Sequence, residues 1–499
     1  MSARDIAPHG HPMGGSGDGL ASRRPQEEPK PKARRDEGRG ERISDSTERG
    51  GGAAGAPPQV ERTAATRAVP WPQFAKELSD PAQAHDKPEA LDDLRVLDCS
   101  SGNFAALFTS SILAEFGAEV IRVEPPRGDV ARLFSPEGLL HKGTGLPYLV
   151  EARNKRHVTL NLEHEEGRLL FAKLARHVDV VIESAVPGQM DDWGIGYRQL
   201  SVLNPRLIYL AFSTHGQFGP RAARTMPDYD ITDQALSGVP YVTGEPEGQG
   251  PAESSVPTKQ GNWIAWYVGG GFGALAILAA LHWRMESGRG QFIDLTPGEA
   301  EMRLSDAGVI WHHVAQRIQE RVGGLQIQVF PYTLIKTKDS YSFVAGFSDV
   351  NFTGLTNIME RPELREPFKT TKDRILKARE LHQELERWSA TLTSEEILEK
   401  FQDYMLNKRG PGTVATARLN RPHETLGESH WWERGVFQKV EDPDYGELLL
   451  QAPPWKMSRT PPRIKWACRP VGADTELIYL KYLGLGRSEL TALHAAGVV

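Results

Sequence analysis

The sequence predicts an α/β fold with a doubly wound parallel sheet, and a βαβ pattern near its start carries that prediction. Residues 95–98 and 119–124 are short runs rich in β-branched and aliphatic side chains, typical of buried strands. Between them, apolar residues recur at helical spacing from Phe104 to Phe116, and Gly117 supplies a helix end. A strand, a helix and a second strand in this order predict parallel pairing through a right-handed crossover.

The same alternation continues toward residue 212. We predict strands over 157–162, 178–183 and 206–212, with helices over 165–176 and 190–203 between them. Strands that alternate with helices form a parallel sheet covered on both faces. The fold class alone does not identify a function.

Residues 1–69 differ from the rest of the chain in composition. They hold 12 Lys+Arg and 10 Asp+Glu, and they contain almost no large apolar side chains. Such a segment cannot bury enough apolar area to offset the entropy lost on ordering, so we predict a disordered tail. It lacks the apolar core of a secretory signal, and its acidic residues argue against an organelle transit peptide.

Composition also excludes several classes of protein. The 499 residues carry 59 Lys+Arg and 65 Asp+Glu, a net charge of −6, which argues against a nucleic-acid partner. Two cysteines rule out a disulfide scaffold or a cysteine-rich zinc site. The apolar stretch 269–281 is shorter than the roughly 20 residues of a membrane span, so we expect no membrane partner. We therefore expect a cytoplasmic protein.

The common cofactor and catalytic motifs are missing. The first strand–helix turn has one glycine, Gly102, where a dinucleotide site needs G-x-G-x-x-G, so we predict neither NAD nor FAD. There is no P-loop, and the body of the chain has no G-x-S-x-G nucleophile elbow. H-E-x-x-H is absent, and His312 and His313 are adjacent and point to different sides of a helix, so we predict no metal site.

Collinear sequence blocks resemble the family III CoA-transferases, which include formyl-CoA transferase, carnitine CoA-transferase and the α-methylacyl-CoA racemases. The blocks are Leu94-Arg95-Val96-Leu97-Asp98, Phe116-Gly117-Ala118-Glu119-Val120-Ile121, Val123-Glu124-Pro125-Pro126, Arg153-Asn154-Lys155-Arg156, Asp179-Val180-Val181-Ile182-Glu183, Leu203-Asn204-Pro205-Arg206-Leu207-Ile208, Asp228-Tyr229-Asp230 and Ile277-Leu278-Ala279-Ala280-Leu281. The last residues, 493–499, also look like the family's ending.

The resemblance implies an architecture. It implies a large α/β CoA-binding domain over 85–300, completed by 435–499, with a small α+β domain over 325–425 inserted between these parts. Two chains would thread through one another as interlocked rings. The partner chain would be a second copy or a homologous CoA-transferase subunit.

The resemblance also implies a chemistry, and the chain departs from it at one position. A family transferase uses an aspartate to take the acyl group from an acyl-CoA and then passes CoA to a free carboxylic acid. An ungapped count back from Ile277 places Trp266 where the family has that aspartate. No Asp or Glu occurs between Glu253 and Glu286, so a shifted alignment supplies no substitute.

Three interpretations follow from that departure. The chain is a subunit without the usual nucleophile, paired with a homologous active chain as in benzylsuccinate CoA-transferase. Alternatively, it is active through another carboxylate, for which Asp230 is the candidate, although Asp230 could instead cap a helix starting at Ile231. The third interpretation is a non-catalytic acyl-CoA-binding or scaffold protein or, less readily, a racemase, because Tyr229 stands where racemases have a histidine.

The resemblance gives CoA, or acyl-CoA as substrate, as the ligand and indicates three segments that would contact it. They comprise Asn103 and Phe104 after the first strand, the run Asn154, Lys155 and Arg156, and Ser184, which stands where the family has an asparagine. Lys155 would either face a phosphate or lie in solvent.

Overall fold

The computed structural model describes residues 69–222, 228–248, 256–326 and 328–499, so the predicted disordered tail lies outside the described residues apart from Val69. Its main feature is a six-stranded parallel sheet. The strands are β1 (Arg95–Asp98), β2 (Glu119–Glu124), β3 (Lys155–Thr159), β4 (Val180–Glu183), β5 (Ile208–Phe212) and β6 (Phe292–Leu295).

The strand order of this sheet is β3-β2-β1-β4-β5-β6. The chain moves outward in one direction from β1 to β3 and then returns to the other side of β1 to add β4. In a doubly wound sheet, the ligand crevice opens at that reversal, outside the carboxyl ends of the two central strands. The loops that follow β1 and β4 therefore mark the expected binding site.

Helices cover the sheet and build the rest of the chain. Their bounds are α1 (Trp71–Ser79), α2 (Phe104–Glu115), α3 (Leu146–Glu151), α4 (Glu165–Ala175), α5 (Gln189–Asp192), α6 (Tyr197–Leu203), α7 (Asp230–Ser237), α8 (Val239–Val242), α9 (Ile264–Ser287), α10 (Pro297–Arg303), α11 (Gly308–Ala315), α12 (Asp349–Ile358), α13 (Thr371–Leu376), α14 (Ala378–Ser389), α15 (Ser394–Asp403), α16 (Ser429–Glu433), α17 (Thr475–Leu483) and α18 (Arg487–Ala495).

The predicted α/β class is confirmed, although several element bounds differ from the prediction, two of them for reasons that the structure shows. The strand predicted over 157–162 begins two residues earlier and ends at Thr159, because the polar residues Lys155 and Arg156 take part in pairing with β2. The helix predicted over 190–203 is two short helices, α5 and α6, because Gly194 adopts a positive φ of 74° between them.

Two hydrophobic cores lie against the large sheet, and the end of the chain contributes to both. One includes residues of α2 and α9 together with Tyr445 and Cys468. The other includes residues of α4 together with Tyr479 and Val499. Residues far apart in sequence thus build the body of the sheet that carries the crevice.

A third core forms around a small antiparallel sheet of strands β7 (Tyr332–Lys336), β8 (Tyr341–Ala345) and β9 (Ala415–Arg418). Its buried members fall between Phe330 and Val414. A separate hairpin, β10 (Phe437–Asp442) and β11 (Gly446–Gln451), follows it. These observations leave the domain boundaries proposed from the sequence as predictions.

Helix α9 packs closely on α2 because glycines line its contact face. A Cβ built on Gly270 would lie 2.6 Å from the carbonyl oxygen of Ala105, which is closer than side chains approach. The hydroxyl of Thr109 donates to the carbonyl of Gly270 at 2.9 Å and joins the two helices. Among the described residues, α9 is also the one helix that is long and apolar enough to span a membrane. Of its most apolar 18-residue stretch, 44% is buried inside the chain.

Candidate functional site

Two adjoining cavities open at the carboxyl ends of the sheet strands. The larger, about 850 Å³, is lined by residues that follow β1, β2, β3 and β4. The smaller, about 410 Å³, lies toward β5 and is lined by residues including Gly102, Asn103, Thr214 and Asp228. The cavities share a wall made by Ser101, Ser184, Ala185 and Val186, so together they form one crevice at the topological switch point.

Beneath this crevice lies an ionic network of buried side chains. The Arg122 guanidinium contacts Asp98 at 2.5 Å and also pairs with Asp129. Glu124 lies 2.6 Å from both Arg132 and the His157 ring. Burial alone would raise the pKa of Asp98 and of Glu124, but the neighbouring cations and donors outweigh it and lower both.

This network positions the turn that begins the crevice. Asp129 accepts hydrogen bonds from the backbone N–H of Gly102 at 2.9 Å and from the Ser101 hydroxyl at 3.2 Å. The Ser101 N–H donates to the Ser184 hydroxyl at 3.1 Å across the switch point. The loops after β1 and β4 are therefore tied together over the paired charges.

The smaller cavity contains a carboxylate that is oriented from two sides. Asn103 Nδ2 donates to Asp228 Oδ2 at 2.6 Å, and the Thr214 hydroxyl donates to Asp228 Oδ1 at 2.6 Å. Asn103 itself is the N-cap of α2, where its Oδ1 accepts from the Ala106 N–H at 2.9 Å. The Asp228 side chain is half-buried and lines the cavity wall.

A second acid, Asp233, lies behind Asp228 and is completely buried. Neither of its oxygens has a donor among the described residues. Burial, together with the negative charge of Asp228, raises the pKa of Asp233 to about 9. Asp233 therefore remains protonated at neutral pH.

Asp230, the carboxylate chosen from the sequence, has a different task. It does not cap its own helix, which begins at Asp230 with Tyr229 as the N-cap. Instead its Oδ1 accepts from the Trp266 N–H at 3.1 Å, in the first turn of α9, and its Oδ2 accepts from Gln234 at 2.6 Å. The expected capping role is thus corrected: Asp230 caps a helix that begins 34 residues later, at Ile264.

Trp266 is part of the core at the start of α9. Its side chain is 2% exposed, and its ring stacks on Phe104 with centroids 6.2 Å apart. Trp263 packs on both of them. An indole in this position cannot form an acyl anhydride, and it fills the space with apolar contacts.

The structure brings some of the predicted CoA-binding residues to the crevice and buries others. Asn103 and Ser184 line the smaller cavity, and Ser184 lines both cavities. Phe104 is in the core, and the Asn154 amide donates to the carbonyl of Arg463 at 2.8 Å. The prediction that Asn103 and Ser184 contact CoA stays a prediction.

Lys155 and Arg156 have protein partners. Lys155 is buried and donates to the Leu107 carbonyl at 2.7 Å, so it neither lies in solvent nor faces a phosphate in this structure. Burial lowers the pKa of Lys155 to about 7. Arg156 is half-buried and donates to Asp474 at 3.1 Å.

The sequence interpretation named Asp230 and passed over Asp228 and Asp233. A signal was present, because three acids at 228, 230 and 233 stand at the start of one helix. The sequence does not tell which of them meets Asn103 and Thr214, residues from other loops. Among the residues that the structure describes, no cluster of His, Cys, Asp and Glu could hold a metal ion.

Comparison with known proteins is consistent with this geometry. The sequence profile of CoA-transferase family III matches residues 91–475. The chain is 33% identical over 416 residues to succinyl-CoA–D-citramalate CoA-transferase of Chloroflexus aurantiacus, covering 83% of this chain and 98% of that protein. It is 32% identical over 415 residues to the succinyl-CoA–L-malate CoA-transferase beta subunit of the same organism, covering 81% and 97%.

A solved structure agrees with these sequence relatives. A CAIB/BAIF family protein from Brucella suis superposes with a TM-score of 0.67 at 26% identity, covering 79% of this chain and 100% of that one. The doubly wound sheet with its switch-point crevice is an α/β fold, and the matching family profile identifies it as that of a CoA-transferase. The chain belongs to CoA-transferase family III. Its substrates are CoA thioesters.

Proposed function

We propose that this chain moves CoA from a short dicarboxylic acyl-CoA, succinyl-CoA foremost, to a free carboxylic acid in the cytoplasm. The observation that carries the proposal is the crevice of two adjoining cavities at the switch point of a family III sheet. CoA is a long molecule with a nucleotide at one end and a thiol at the other. The larger cavity offers room for the nucleotide, and the smaller one receives the thioester. Relatives whose names include succinyl-CoA support the choice of succinyl-CoA as the CoA donor.

The finer proposal concerns the partner. With Trp266 in the core, the aspartate of the relatives has no counterpart at that position, and a homologous chain that carries it completes the assembly. The relative named as a beta subunit supports an assembly of unlike chains. The exposed apolar residues Leu275, Trp283 and Met285 of α9 supply a surface for the interlocked contact, whether with a homologue or a second copy.

A transfer assay tests the function. The full chain, alone and mixed with a homologous family III subunit, is incubated with succinyl-CoA and either D-citramalate or L-malate, and the CoA esters are separated by chromatography. We expect the CoA ester of the acceptor acid to appear. Binding of CoA without any new ester in either mixture would instead indicate a non-catalytic acyl-CoA-binding protein.

The crevice itself is tested with a blocking variant. Ser184→Trp places an indole in the wall shared by the two cavities, so we expect the dissociation constant of CoA to rise at least about tenfold, roughly 1.4 kcal/mol. Val202→Trp, on the exposed surface of α6, is the matched control and should leave binding unchanged. Equal binding by both variants would contradict the assignment of the crevice.

A further inference from the structure

We propose that Asp228 is the carboxylate on which this chain forms its own acyl intermediate. The inference rests on the proposed CoA transfer but does not depend on a second chain. It gives this chain a reactive group in its own crevice, at a position different from that occupied by Trp266. A homologous partner would then contribute a second centre to the assembly.

The Asp228 carboxylate is held in a fixed orientation. Asp228 receives one donor on each oxygen, from Asn103 and Thr214, both at 2.6 Å. These donors come from the loops after β1 and β5, on either side of the smaller cavity. Each carboxylate oxygen keeps a free lone pair, and the half-buried side chain is partly open to that cavity. The group is therefore held in one orientation while it faces the space assigned to the thioester.

Asp228 and the neighbouring Asp233 differ in their burial and in their hydrogen-bond donors. Asp233 is completely buried and has no donor among the described residues, so an ionised Asp233 would leave a buried charge without a partner. Each oxygen of Asp228, by contrast, accepts a hydrogen bond, and the side chain is only half-buried. The carboxyl group that is both hydrogen-bonded and part of the cavity wall is therefore Asp228, whereas Asp233 has neither property.

Few carboxyl groups line the crevice. Among the described residues that line the two cavities, the carboxyl groups belong to Asp228, Glu124 and Glu163. Glu124 is committed to Arg132 and His157 in the ionic network. Glu163 lines the larger cavity, beyond β3, with an exposed side chain. Both oxygens of Asp230 accept hydrogen bonds, and Asp230 does not line either cavity.

The proposed step balances without a further reactant. An Asp228 oxygen attacks the carbonyl carbon of the acyl-CoA, the C–S bond breaks, and CoA leaves as the thiolate with an acyl–aspartyl anhydride formed. The thiolate then attacks the Asp228 carbonyl carbon, which releases the acyl group as a carboxylate and leaves an aspartyl–CoA thioester. An acceptor carboxylate then attacks the Asp228 carbonyl carbon and expels the CoA thiolate, which forms an anhydride between the acceptor and Asp228. The thiolate attacks the acceptor's carbonyl carbon, which gives the CoA ester of the acceptor and regenerates the Asp228 carboxylate.

Intact-mass spectrometry of the full chain tests the inference. The chain is incubated with succinyl-CoA, with and without hydroxylamine, beside Asp228→Asn and the exposed control Asp192→Asn. We expect a hydroxylamine-sensitive CoA adduct on the wild-type chain and on Asp192→Asn, and at least about a hundredfold less on Asp228→Asn, because an amide is not a nucleophile toward a thioester.

The outcomes are distinct. An adduct that persists on Asp228→Asn overturns the inference, and so does a wild-type chain that binds CoA without forming any adduct. That second result leaves CoA transfer by a partner chain intact. No CoA binding and no transfer, even with a homologous subunit, would instead refute the proposed function. If Asp228→Asn loses CoA binding, the modified residue is located in the wild-type chain instead. An adduct on Asp228 supports the inference, and an adduct on another residue overturns it.

Discussion

Two groups of buried carboxyl groups lie near the same edge of the sheet, and they differ in what surrounds them. In the ionic network, Asp98, Glu124 and Asp129 each contact an arginine. In the acid cluster, formed by Asp228, Asp230 and Asp233, the hydrogen-bond partners of Asp228 and Asp230 are amides, a hydroxyl and a backbone N–H. The same residue type is thus buried under opposite electrostatic conditions within one crevice.

The difference separates structure from chemistry. A carboxylate paired with a guanidinium stays ionised, and the arginine compensates its negative charge and fixes its position. Such a pair is well suited to supporting the loops after β1 and β4. Acids buried without a cation repel one another, and one of them keeps its proton. Perturbed acids of this kind are concentrated at functional sites in proteins. The predictions below compare the two groups.

The largest effect is expected in the ionic network. Arg122→Met leaves Asp98 and Asp129 buried without their cation, so we expect the free energy of unfolding to fall by about 3–5 kcal/mol. Arg198→Met, which removes an exposed pair with Asp191, is the control and should change it by less than about 1 kcal/mol. Urea unfolding monitored by tryptophan fluorescence measures both, and similar losses would contradict the account.

A substitution in the acid cluster should raise the free energy of unfolding rather than lower it, and the size of this effect should depend on pH. Asp233 ionises near pH 4 when unfolded but only near pH 9 when folded, so the folded state loses stability as pH rises between these values. Asp233→Asn has nearly the same shape as the wild-type side chain but cannot ionise. We expect it to be more stable than the wild type by at least about 1 kcal/mol at pH 8, with the gain shrinking toward pH 4.

Unfolding curves across that pH range check this prediction. Asp339→Asn, at an exposed acid whose pKa is lowered by hydrogen bonds from Ser394, is the matched control and should show no such gain. A pH-independent difference between Asp233→Asn and the wild type would mean that Asp233 is ionised in the folded chain.

Substitutions at Asp230 test whether this residue caps α9 or takes part in catalysis. Asp230→Ala removes the acceptor for the first turn of α9, so we expect a loss of about 1 kcal/mol. Asp230→Asn keeps an acceptor oxygen and should lose less than about half of that. Because Asp230 is a cap, both variants should retain the CoA adduct seen by mass spectrometry. Loss of the adduct from a folded Asp230→Asn chain would reinstate Asp230 as the reactive residue.

The smallest effect is expected at Lys155. Its ammonium donates to the carbonyl of Leu107 inside the core, and Lys155→Met fills the same space with an apolar chain. We expect the dissociation constant of CoA to change by less than about twofold, under about 0.5 kcal/mol. Isothermal titration calorimetry measures it, with Ser184→Trp as the variant that should bind CoA at least about tenfold more weakly. A tenfold loss would return Lys155 to the binding site.

The sequence predicted the sheet well and the site only in part. The strands β1 and β2 were predicted to the residue, because local apolar runs decide whether a strand forms. The strand β3 was displaced by two residues, since Lys155 and Arg156 enter it through contacts with Leu107 and Asp474 that are distant in the chain. Local patterns do not carry such partners.

The same limit explains why the sequence did not distinguish between these acids. Asp228 and Asp230 are two residues apart and chemically identical, yet one lines the cavity and the other caps α9. They differ in their hydrogen-bond partners. Asn103 and Thr214 donate to Asp228, whereas Trp266 donates to Asp230. Those contacts depend on the strand order of the sheet, which the spacing of residues within a helix does not reveal.

The central claim is that the reactive carboxylate of this chain is Asp228. Hydroxylamine converts an aspartyl–CoA thioester into an aspartyl hydroxamate, which marks the residue permanently. The wild-type chain is incubated with succinyl-CoA and hydroxylamine, digested, and sequenced by tandem mass spectrometry. We predict that the hydroxamate is found on Asp228. A hydroxamate on Asp230, or on any other acid, would contradict the account.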